Sequence, residues 1–182
     1  EASTFDFKFD DFTPKTGLHP SFWEKDKLFD KISNALKFIT KEFAEDLEID
    51  TILDDILLVG SLASYNWHKK SDIDVHLVID FGKVNKDEDL VEELMRLHRM
   101  RWNEDHNIRI YGHEVEIYIQ DTEHKGHYAG IYSLKTDEWL KKPQKDDPEI
   151  DFAAISNKAA TLANEINEID RLYRKNYVSE AY

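Results

Sequence analysis

Residues 72–79 constrain the fold of this chain more than any other segment. Their apolar members, Ile73, Val75, Leu77 and Ile79, alternate with Asp72, Asp74, His76 and Val78. A period of two is typical of a β-strand that buries one face and leaves the other partly open to solvent. The pattern therefore predicts a sheet that is covered by apolar elements on one side and carries the carboxylates of Asp72 and Asp74 on the other.

Further strands are predicted on both sides of this segment. Residues 55–59 hold a short apolar run that ends at Gly60, which is typical of a strand covered on both faces. Residues 108–120 and residues 130–140 each hold two apolar runs separated by turn residues. Each of these two segments is expected to form a β-hairpin.

Three helices are predicted from apolar residues that recur every three or four positions. The first is expected to begin after Ser21, because Ser21 and Glu24 have the spacing of a capping box, and to run for about six turns. The second is expected over residues 85–102, with Asn85 and Glu88 as its cap, and the third over residues 155–173. The stripe positions are Leu28, Ile32, Leu36, Ile39, Phe43 and Leu47 in the first helix, Leu90, Val91, Leu94, Leu97 and Arg101 in the second, and Ile155, Ala159, Leu162, Ile166, Ile169 and Tyr173 in the third.

The order of these elements indicates an α+β or mixed α/β fold. We expect residues 1–20 to be an extended arm, whose alternating phenylalanines add to a sheet edge or cover a groove. Residues 21–142 are expected to form the main domain. Residues 143–182 are expected to be a polar linker followed by a long C-terminal helix packed on that domain.

Composition narrows the classes of site and partner that remain. The chain has no cysteine, which excludes disulfides, thiolate nucleophiles and zinc sites with cysteine ligands. It has no apolar stretch near the roughly 18 residues that a membrane span needs, so we expect no membrane partner and a cytoplasmic location. Its net charge of −14 disfavours a face that binds duplex nucleic acid, because Lys and Arg hold most phosphate backbones.

A glycine–serine pair precedes the acidic strand. Gly60 permits a close approach of the backbone, and exposed N–H groups at such a turn, together with the Ser61 hydroxyl, are suited to holding phosphate oxygens. Asp72 and Asp74, side by side on one strand face, would repel each other by roughly 3 kcal/mol at an effective dielectric of 20. A divalent cation relieves this repulsion, and sites built from oxygen ligands select Mg²⁺ or Mn²⁺.

The joint pattern carries the signal, because the acidic pair alone does not. With 38 acidic residues in the chain, an acid-x-acid pair occurs by chance about eight times. A Gly-Ser dipeptide is expected only about 0.3 times. A buried strand, Gly-Ser, a short spacer and then Asp-x-Asp within an alternating strand therefore predict a metal–nucleotide site.

Gly60-Ser61 followed by Ser71-Asp72-Ile73-Asp74 resembles the signature of the nucleotidyltransferase superfamily that includes DNA polymerase beta. Residues 60–80 are most similar to the small stand-alone predicted nucleotidyltransferases of bacteria and tailed phages. The resemblance implies a nucleotidyltransferase-like twisted mixed β-sheet flanked by helices, and a pair of Mg²⁺ or Mn²⁺ ions. It also implies transfer of a nucleotidyl group from a nucleoside triphosphate, expected to be ATP, to a hydroxyl acceptor with release of pyrophosphate.

The resemblance also requires a third carboxylate on a neighbouring strand, between apolar residues. Glu116 fits, since Val115 and Ile117 flank it, and Glu114 on the same strand face is the competing choice. The implied catalytic residues and metal ligands are Asp72, Asp74 and Glu116, and the implied nucleotide contacts are Gly60, Ser61 and Ser71. Glu116 would also help to deprotonate the acceptor hydroxyl.

Several other residues could contribute to such a site, although each has a simpler structural interpretation. His76 continues the face of Asp72 and Asp74, where a supporting or core role is favoured over metal ligation. Tyr128, Tyr132 and Trp139 could stack on a nucleobase, or pack in or beside the core. Arg96, Arg99 and Arg101 could face a triphosphate, or form a solvated helix face.

The acceptor is not specified by the motif. The acidic net charge favours a cationic small molecule or a protein over duplex nucleic acid. The alternative to an enzyme is a non-catalytic nucleotide- or partner-binding module on the same fold. A further rival is an interaction protein that docks through the phenylalanine-rich arm and the last helix.

Overall fold

The computed structural model describes residues 13–47, 53–124, 126–145 and 152–179. The described part of residues 13–145 belongs to one compact unit, and the last helix belongs to a second. The elements are β1 (Trp23–Glu24), β2 (Lys27–Leu28), α1 (Asp30–Asp46), β3 (Leu53–Val59), β4 (Ile73–Ile79), α2 (Phe81–Val84), α3 (Glu88–Asp105), β5 (Arg109–Ile110), β6 (His113–Asp121), β7 (Ile131–Ser133), β8 (Glu138–Lys141) and α4 (Phe152–Ser179).

The described residues form a mixed α+β structure, as predicted, with four α-helices, a six-stranded mixed sheet and a two-stranded sheet. The strand order of the large sheet is β5-β6-β4-β3-β7-β8. Strands β4 and β6 are parallel, and the other neighbours are antiparallel. A parallel pair needs a long crossover connection, which α2 and α3 provide here between β4 and β6.

The apolar face of β4 is covered by helices, as its alternation predicts. Ile73 and Val75 lie in one core cluster with side chains of α1, and Leu77 and Ile79 lie in a second cluster with side chains of α1 and α3. The opposite face carries Asp74 and His76 and only a small cluster of Leu57, Val59 and Val78. One side of the sheet is therefore a packed core, and the other can hold a polar site.

The predicted start of the first helix is wrong. Ser21 lies in a turn, the chain then forms the β1–β2 hairpin, and α1 begins at Asp30 without a side-chain cap. The hairpin is favoured over a helix in this segment because it buries Trp23, whose indole N–H donates to the carbonyl of Leu62 at 2.9 Å. Leu28 is buried in the hairpin and not on the helix.

The predicted N-cap of the second helix is also wrong. The side chain of Asp87, and not that of Asn85, accepts the backbone N–H of Leu90 at 3.2 Å. A four-residue helix, α2, ends at Val84, just before the predicted helical segment, and α3 begins at Glu88. The core side of α3 is formed by Val91 and Met95. Three of the predicted stripe residues, Leu90, Leu94 and Leu97, are 59%, 44% and 51% exposed.

Helix α4 extends the predicted third helix at both ends and spans 28 residues. Its predicted stripe residues Ile155, Leu162, Ile166, Ile169 and Tyr173 are exposed in the structure. Its packing on the main domain stays a prediction. None of the helices among the described residues is both long and apolar enough to cross a bilayer.

The predicted arm is described only from residue 13 onward, and its phenylalanines lie outside the described residues. Residues 13–19 contain no strand; they run beside the loop that follows Gly60 and Ser61. The N–H of Lys15 donates to the carbonyl of Tyr65, and the indole of Trp67 donates to the carbonyl of Gly17 at 2.8 Å. These contacts hold the loop between β3 and β4.

Candidate active site

Asp74 and Glu116 face each other across the two parallel strands at the centre of the sheet. They are Cα partners in the β4–β6 register, and both side chains are half-buried. Asp72 lies one pleat earlier, just before β4, and is exposed. Because alternate residues of neighbouring strands point the same way, the three predicted carboxylates share the polar face of the sheet.

Burial and mutual repulsion dominate the electrostatics of these carboxylates. Burial raises the pKa of Asp74 to about 6, and the charges of Glu116 and Asp72 add to this effect. Burial also raises the pKa of Asp72, followed by repulsion from Glu116 and Glu114. Within the described ranges, no Lys or Arg forms a salt bridge with Asp72, Asp74 or Glu116.

Gly60 lies next to the Asp74 carboxylate, at the end of β3. It follows β3, whose last residue Val59 is the register partner of Asp74, and its φ is +73°. A Cβ at position 60 would clash with Oδ2 of Asp74. The backbone therefore approaches the carboxylate only because this residue has no side chain.

Ser61 begins a single 3₁₀ turn, Ser61–Ala63. Its carbonyl accepts the backbone N–H of Ser64 at 3.1 Å and the Ser64 hydroxyl at 3.0 Å. The Ser61 hydroxyl has no hydrogen-bond partner among the residues described, so it is available to an added ligand.

Ser71 has a structural role in the loop before β4. Its hydroxyl is buried and accepts the backbone N–H of His68 at 2.9 Å. Its carbonyl accepts Nδ1–H of the buried His113 at 2.5 Å. These bonds fix the backbone just before Asp72, and a direct contact of Ser71 with a nucleotide stays a prediction.

The two candidates for the third carboxylate differ in their partners. Glu114 forms an ion pair with Arg109 of β5, with 2.7 Å between Oε2 and Nη2. Glu116 forms no salt bridge with any Lys or Arg that the structure describes, and its Oε2 accepts the hydroxyl of Tyr118 at 2.7 Å. Glu116, and not Glu114, is the register partner of Asp74.

Tyr118 is a site residue that the sequence reasoning missed. The alternation that placed Glu114 and Glu116 on one face also places Tyr118 there, so the signal was present. Its ring stacks on His76 of β4 at a centroid distance of 4.8 Å, and the guanidinium of Arg99 lies 4.6 Å from its centroid. Burial, followed by the hydrogen bond to Glu116, raises the pKa of Tyr118 to about 12.

His76 is part of a hydrogen-bonded group further along the same face. Its Nδ1 lies 2.6 Å from Oε1 of Gln120, so Nδ1 carries the proton and donates. The Tyr128 hydroxyl donates to the same Gln120 oxygen at 3.2 Å. Burial lowers the pKa of His76, which keeps the imidazole neutral. Of the aromatic candidates, Tyr128 therefore reaches the polar face.

The other aromatic candidates lie on the helix-covered face. Tyr132 is 1% exposed and packs edge-on against Trp23 and Trp139, and these two indoles stack on each other at 4.7 Å. These rings belong to the first core cluster or pack against it. Core packing is therefore the role that the structure gives to Tyr132 and Trp139.

A cavity of about 500 Å³ lies beside His76 and Tyr118, between the ends of β4 and β6 and the start of α3. Its wall carries five carboxylates, those of Glu88, Asp89, Glu92, Asp121 and Glu123. Its floor includes Phe81 and Ile119. The cavity is therefore suited to a cationic group with some apolar surface and unsuited to a polyanion.

The donor chemistry of the three carboxylates fits Mg²⁺ or Mn²⁺, since they offer only oxygen ligands and make no salt bridge within the described part of the chain. In the part of the chain that the structure describes, no three His, Asp or Glu side chains already converge as a metal-binding group. Metal binding would therefore require the side chains of Asp72 and Asp74 to turn toward Glu116.

No family model, curated protein or solved structure matches this chain. The resemblance to nucleotidyltransferases therefore stays a prediction, and function has to be inferred from the geometry of these residues.

Proposed function

We propose that this protein is a Mg²⁺-dependent nucleotidyltransferase that transfers NMP from a nucleoside triphosphate, ATP in the first instance, to a hydroxyl acceptor with release of pyrophosphate. One observation carries the proposal. Asp74 and Glu116 are register partners on adjacent parallel strands, without a basic partner among the described residues, and Gly60 lies directly against Asp74. The arrangement of two neighbouring strands and a glycine–serine turn is what the resemblance requires.

Asp72, Asp74 and Glu116 are the residues that would hold the cations. When bound, the cations supply charge neutralisation for the triphosphate and lower the pKa of the acceptor hydroxyl. The raised pKa of Asp74 supports this assignment, because a carboxylate that is costly to ionise alone gains most from an added positive charge.

The protein's own groups orient the reactants. The Ser61 hydroxyl and the backbone at Gly60 would contact phosphate oxygens next to Asp74. The acceptor oxygen forms its bond to the α-phosphorus as the bond to the β-phosphate bridging oxygen breaks, and pyrophosphate leaves. Glu116 would help to deprotonate the acceptor hydroxyl.

The third carboxylate is proposed to be Glu116 and not Glu114. Glu114 is committed to Arg109 through an ion pair, so using it would leave that guanidinium without its partner. A matched pair of variants tests this choice, because the two glutamates lie on the same strand face. Glu116→Gln should abolish pyrophosphate release, and Glu114→Gln should retain most of it.

The decisive experiment measures pyrophosphate release from a panel of nucleoside triphosphates with Mg²⁺ or Mn²⁺, using a host extract as the source of acceptor. Release should be lost in Asp74→Asn and in Glu116→Gln, while both variants stay folded by circular dichroism. Mass spectrometry of the products then identifies the acceptor. Release that persists in Asp74→Asn would contradict the proposal.

Binding provides a second test that does not need the acceptor. A nucleoside triphosphate with Mg²⁺ should raise the melting temperature more than the same nucleotide with EDTA, because a ligand stabilises only the state that binds it. Equal shifts would mean that the carboxylates do not hold a metal–nucleotide complex.

The acceptor is proposed to be a cationic small molecule or a basic protein segment. The net charge of −14 and the carboxylate-lined cavity next to His76 both support this choice over duplex nucleic acid. A nucleic acid modified in the extract experiment would overturn it.

A non-catalytic binding module is the second candidate. It is favoured by the exposed leucines of α3, Leu90, Leu94 and Leu97, which are a surface suited to a protein partner. The two candidates differ in turnover. A binding module would be stabilised by nucleotide, or by a partner, without releasing pyrophosphate.

A further inference from the structure

We propose that Tyr118 is a positioning residue, which holds the carboxylate of Glu116 in the orientation that serves the acidic site. The inference rests on the proposed function and deepens it, because it concerns how the site keeps one of its three carboxylates ready for a cation.

The first support is the hydrogen bond itself. The Tyr118 hydroxyl donates to Oε2 of Glu116 at 2.7 Å, which is the usual length of an O–H···O hydrogen bond. The two residues are separated by one position on β6, so they stand on the same face of the strand. The bond occupies one oxygen of Glu116 and leaves the other available for a cation.

The second support is that the Tyr118 ring is itself held by two other elements. His76 of β4 stacks on it at 4.8 Å, and Arg99 of α3 lies over it at 4.6 Å. His76 in turn donates to Gln120, which limits the rotation of the imidazole. A donor with restricted rotamers fixes its acceptor better than a freely rotating one.

The third support is the contrast between Glu116 and its neighbour. Glu114 is held by a cation, Arg109, whereas Glu116 is held by a neutral phenol. A neutral donor orients a carboxylate without cancelling its charge, so the negative charge remains available to bind Mg²⁺ or Mn²⁺.

Tyr128 provides a matched control for Tyr118. It is also a tyrosine on the polar face and also contacts His76, with a centroid distance of 5.5 Å. Its hydroxyl, however, donates to the Gln120 amide and not to a carboxylate. Removal of the Tyr128 hydroxyl therefore tests packing and polarity on this face without touching Glu116.

The experiment compares Mn²⁺ affinity, measured by calorimetry and by electron paramagnetic resonance, in the full-length wild type, Tyr118→Phe and Tyr128→Phe. Phenylalanine keeps the ring contacts with His76 and Arg99. Loss of a residue that orients a ligand typically weakens metal binding 10- to 100-fold, so we expect about tenfold weaker binding in Tyr118→Phe and a change within about twofold in Tyr128→Phe. Thermal melts check that both variants are folded.

A second background separates positioning from general packing. If Tyr118 acts through Glu116, then adding Tyr118→Phe to Glu116→Gln should cause no further loss of Mn²⁺ affinity. Equal losses in the wild-type and Glu116→Gln backgrounds would overturn the inference, as would wild-type affinity in Tyr118→Phe, a loss in Tyr128→Phe of the same size, or no Mn²⁺ binding by the wild type.

Pyrophosphate release tests the proposed function separately. For an active wild type, Tyr118→Phe should lower kcat about tenfold and leave the KM for the nucleotide within about twofold, because the nucleotide contacts at Gly60 and Ser61 are intact. An inactive wild type whose Mn²⁺ affinity still depends on Tyr118 through Glu116 would refute the enzyme and support the positioning role. An active wild type whose Mn²⁺ affinity does not depend on Tyr118 would support the enzyme and refute the positioning role.

Discussion

The backbone of Gly60 lies directly against the carboxylate of Asp74. The Cβ of a substituted residue 60 would lie 2.8 Å from Cγ and 3.2 Å from Cβ of Asp74, closer still to Oδ2, and the residue has a positive φ. The positions of the Gly60 turn and of the Asp74 carboxylate therefore depend on each other, and a substitution at one of them should displace the other.

We predict that Gly60→Ala destabilises the protein by about 2–5 kcal/mol, from backbone strain together with the steric conflict at Asp74. Urea denaturation measures the free energy of unfolding. Gly112→Ala is the matched control, because Gly112 also has a positive φ but nothing lies within 4 Å of the added Cβ. Its cost should be about 1–2 kcal/mol, from strain alone. Equal costs at the two positions would show that contact with Asp74 is unimportant.

We predict that Asp74→Asn stabilises the folded protein at pH 8. The pKa of Asp74 is raised from 3.8 to about 6 in the folded state, so the folded state favours the protonated form. The contribution of Asp74 to the free energy of unfolding is therefore fully present below pH 4, and it is lost as the pH rises from about 4 to 6, where the carboxylate ionises. Asparagine stays neutral, and the gain at pH 8 should be about 1–2 kcal/mol after allowance for solvent screening.

Denaturation of the wild type and Asp74→Asn at pH 4 and pH 8 measures this gain. The gain should largely disappear at pH 4, where Asp74 is protonated in the wild type. The exposed residue Glu104, replaced by Gln, serves as the control and should show no gain of this size at pH 8. A destabilised Asp74→Asn at pH 8 would mean that the carboxylate has a structural role.

We predict that Asn103→Ala destabilises the protein by about 1–3 kcal/mol, because it leaves two backbone groups without partners. The Asn103 amide donates to the carbonyl of Ile117 at 3.0 Å and accepts its N–H at 3.1 Å, which extends the hydrogen bonding of β6 next to Glu116. Hydrogen exchange at the Ile117 amide should become faster. Asn107→Ala, at an exposed position whose side chain accepts from the exposed Arg109, should change stability by less than about 0.5 kcal/mol.

We predict that Trp23→Phe costs about 2–4 kcal/mol of unfolding free energy, since the buried Leu62 carbonyl loses its indole donor and the stack with Trp139 shrinks. Trp67→Phe is the comparison, because its indole donates to a less buried carbonyl, that of Gly17, which water can reach. Its cost should be smaller. The reverse order would show that the β1–β2 hairpin does not support the turn at Ser61.

Much of the fold follows from patterns that are local in sequence. Alternation of apolar and polar residues located β4 and both of its faces, and turn residues located the two hairpins of residues 108–140. These predictions succeed because the period of a strand does not depend on its partners. The prediction of where α1 starts was wrong, because Trp23 packs with Tyr132 and Trp139, which lie more than a hundred positions away along the chain.

By itself, the sequence determined that Asp72 and Asp74 share one face of their strand, and that Glu114 and Glu116 share one face of theirs. Only the tertiary structure decided which acids stand together. The parallel register places Glu116 beside Asp74, and pairing with β5 assigns Glu114 to Arg109. The physical reason is that register is set by the packing of whole strands, which no short stretch of sequence encodes.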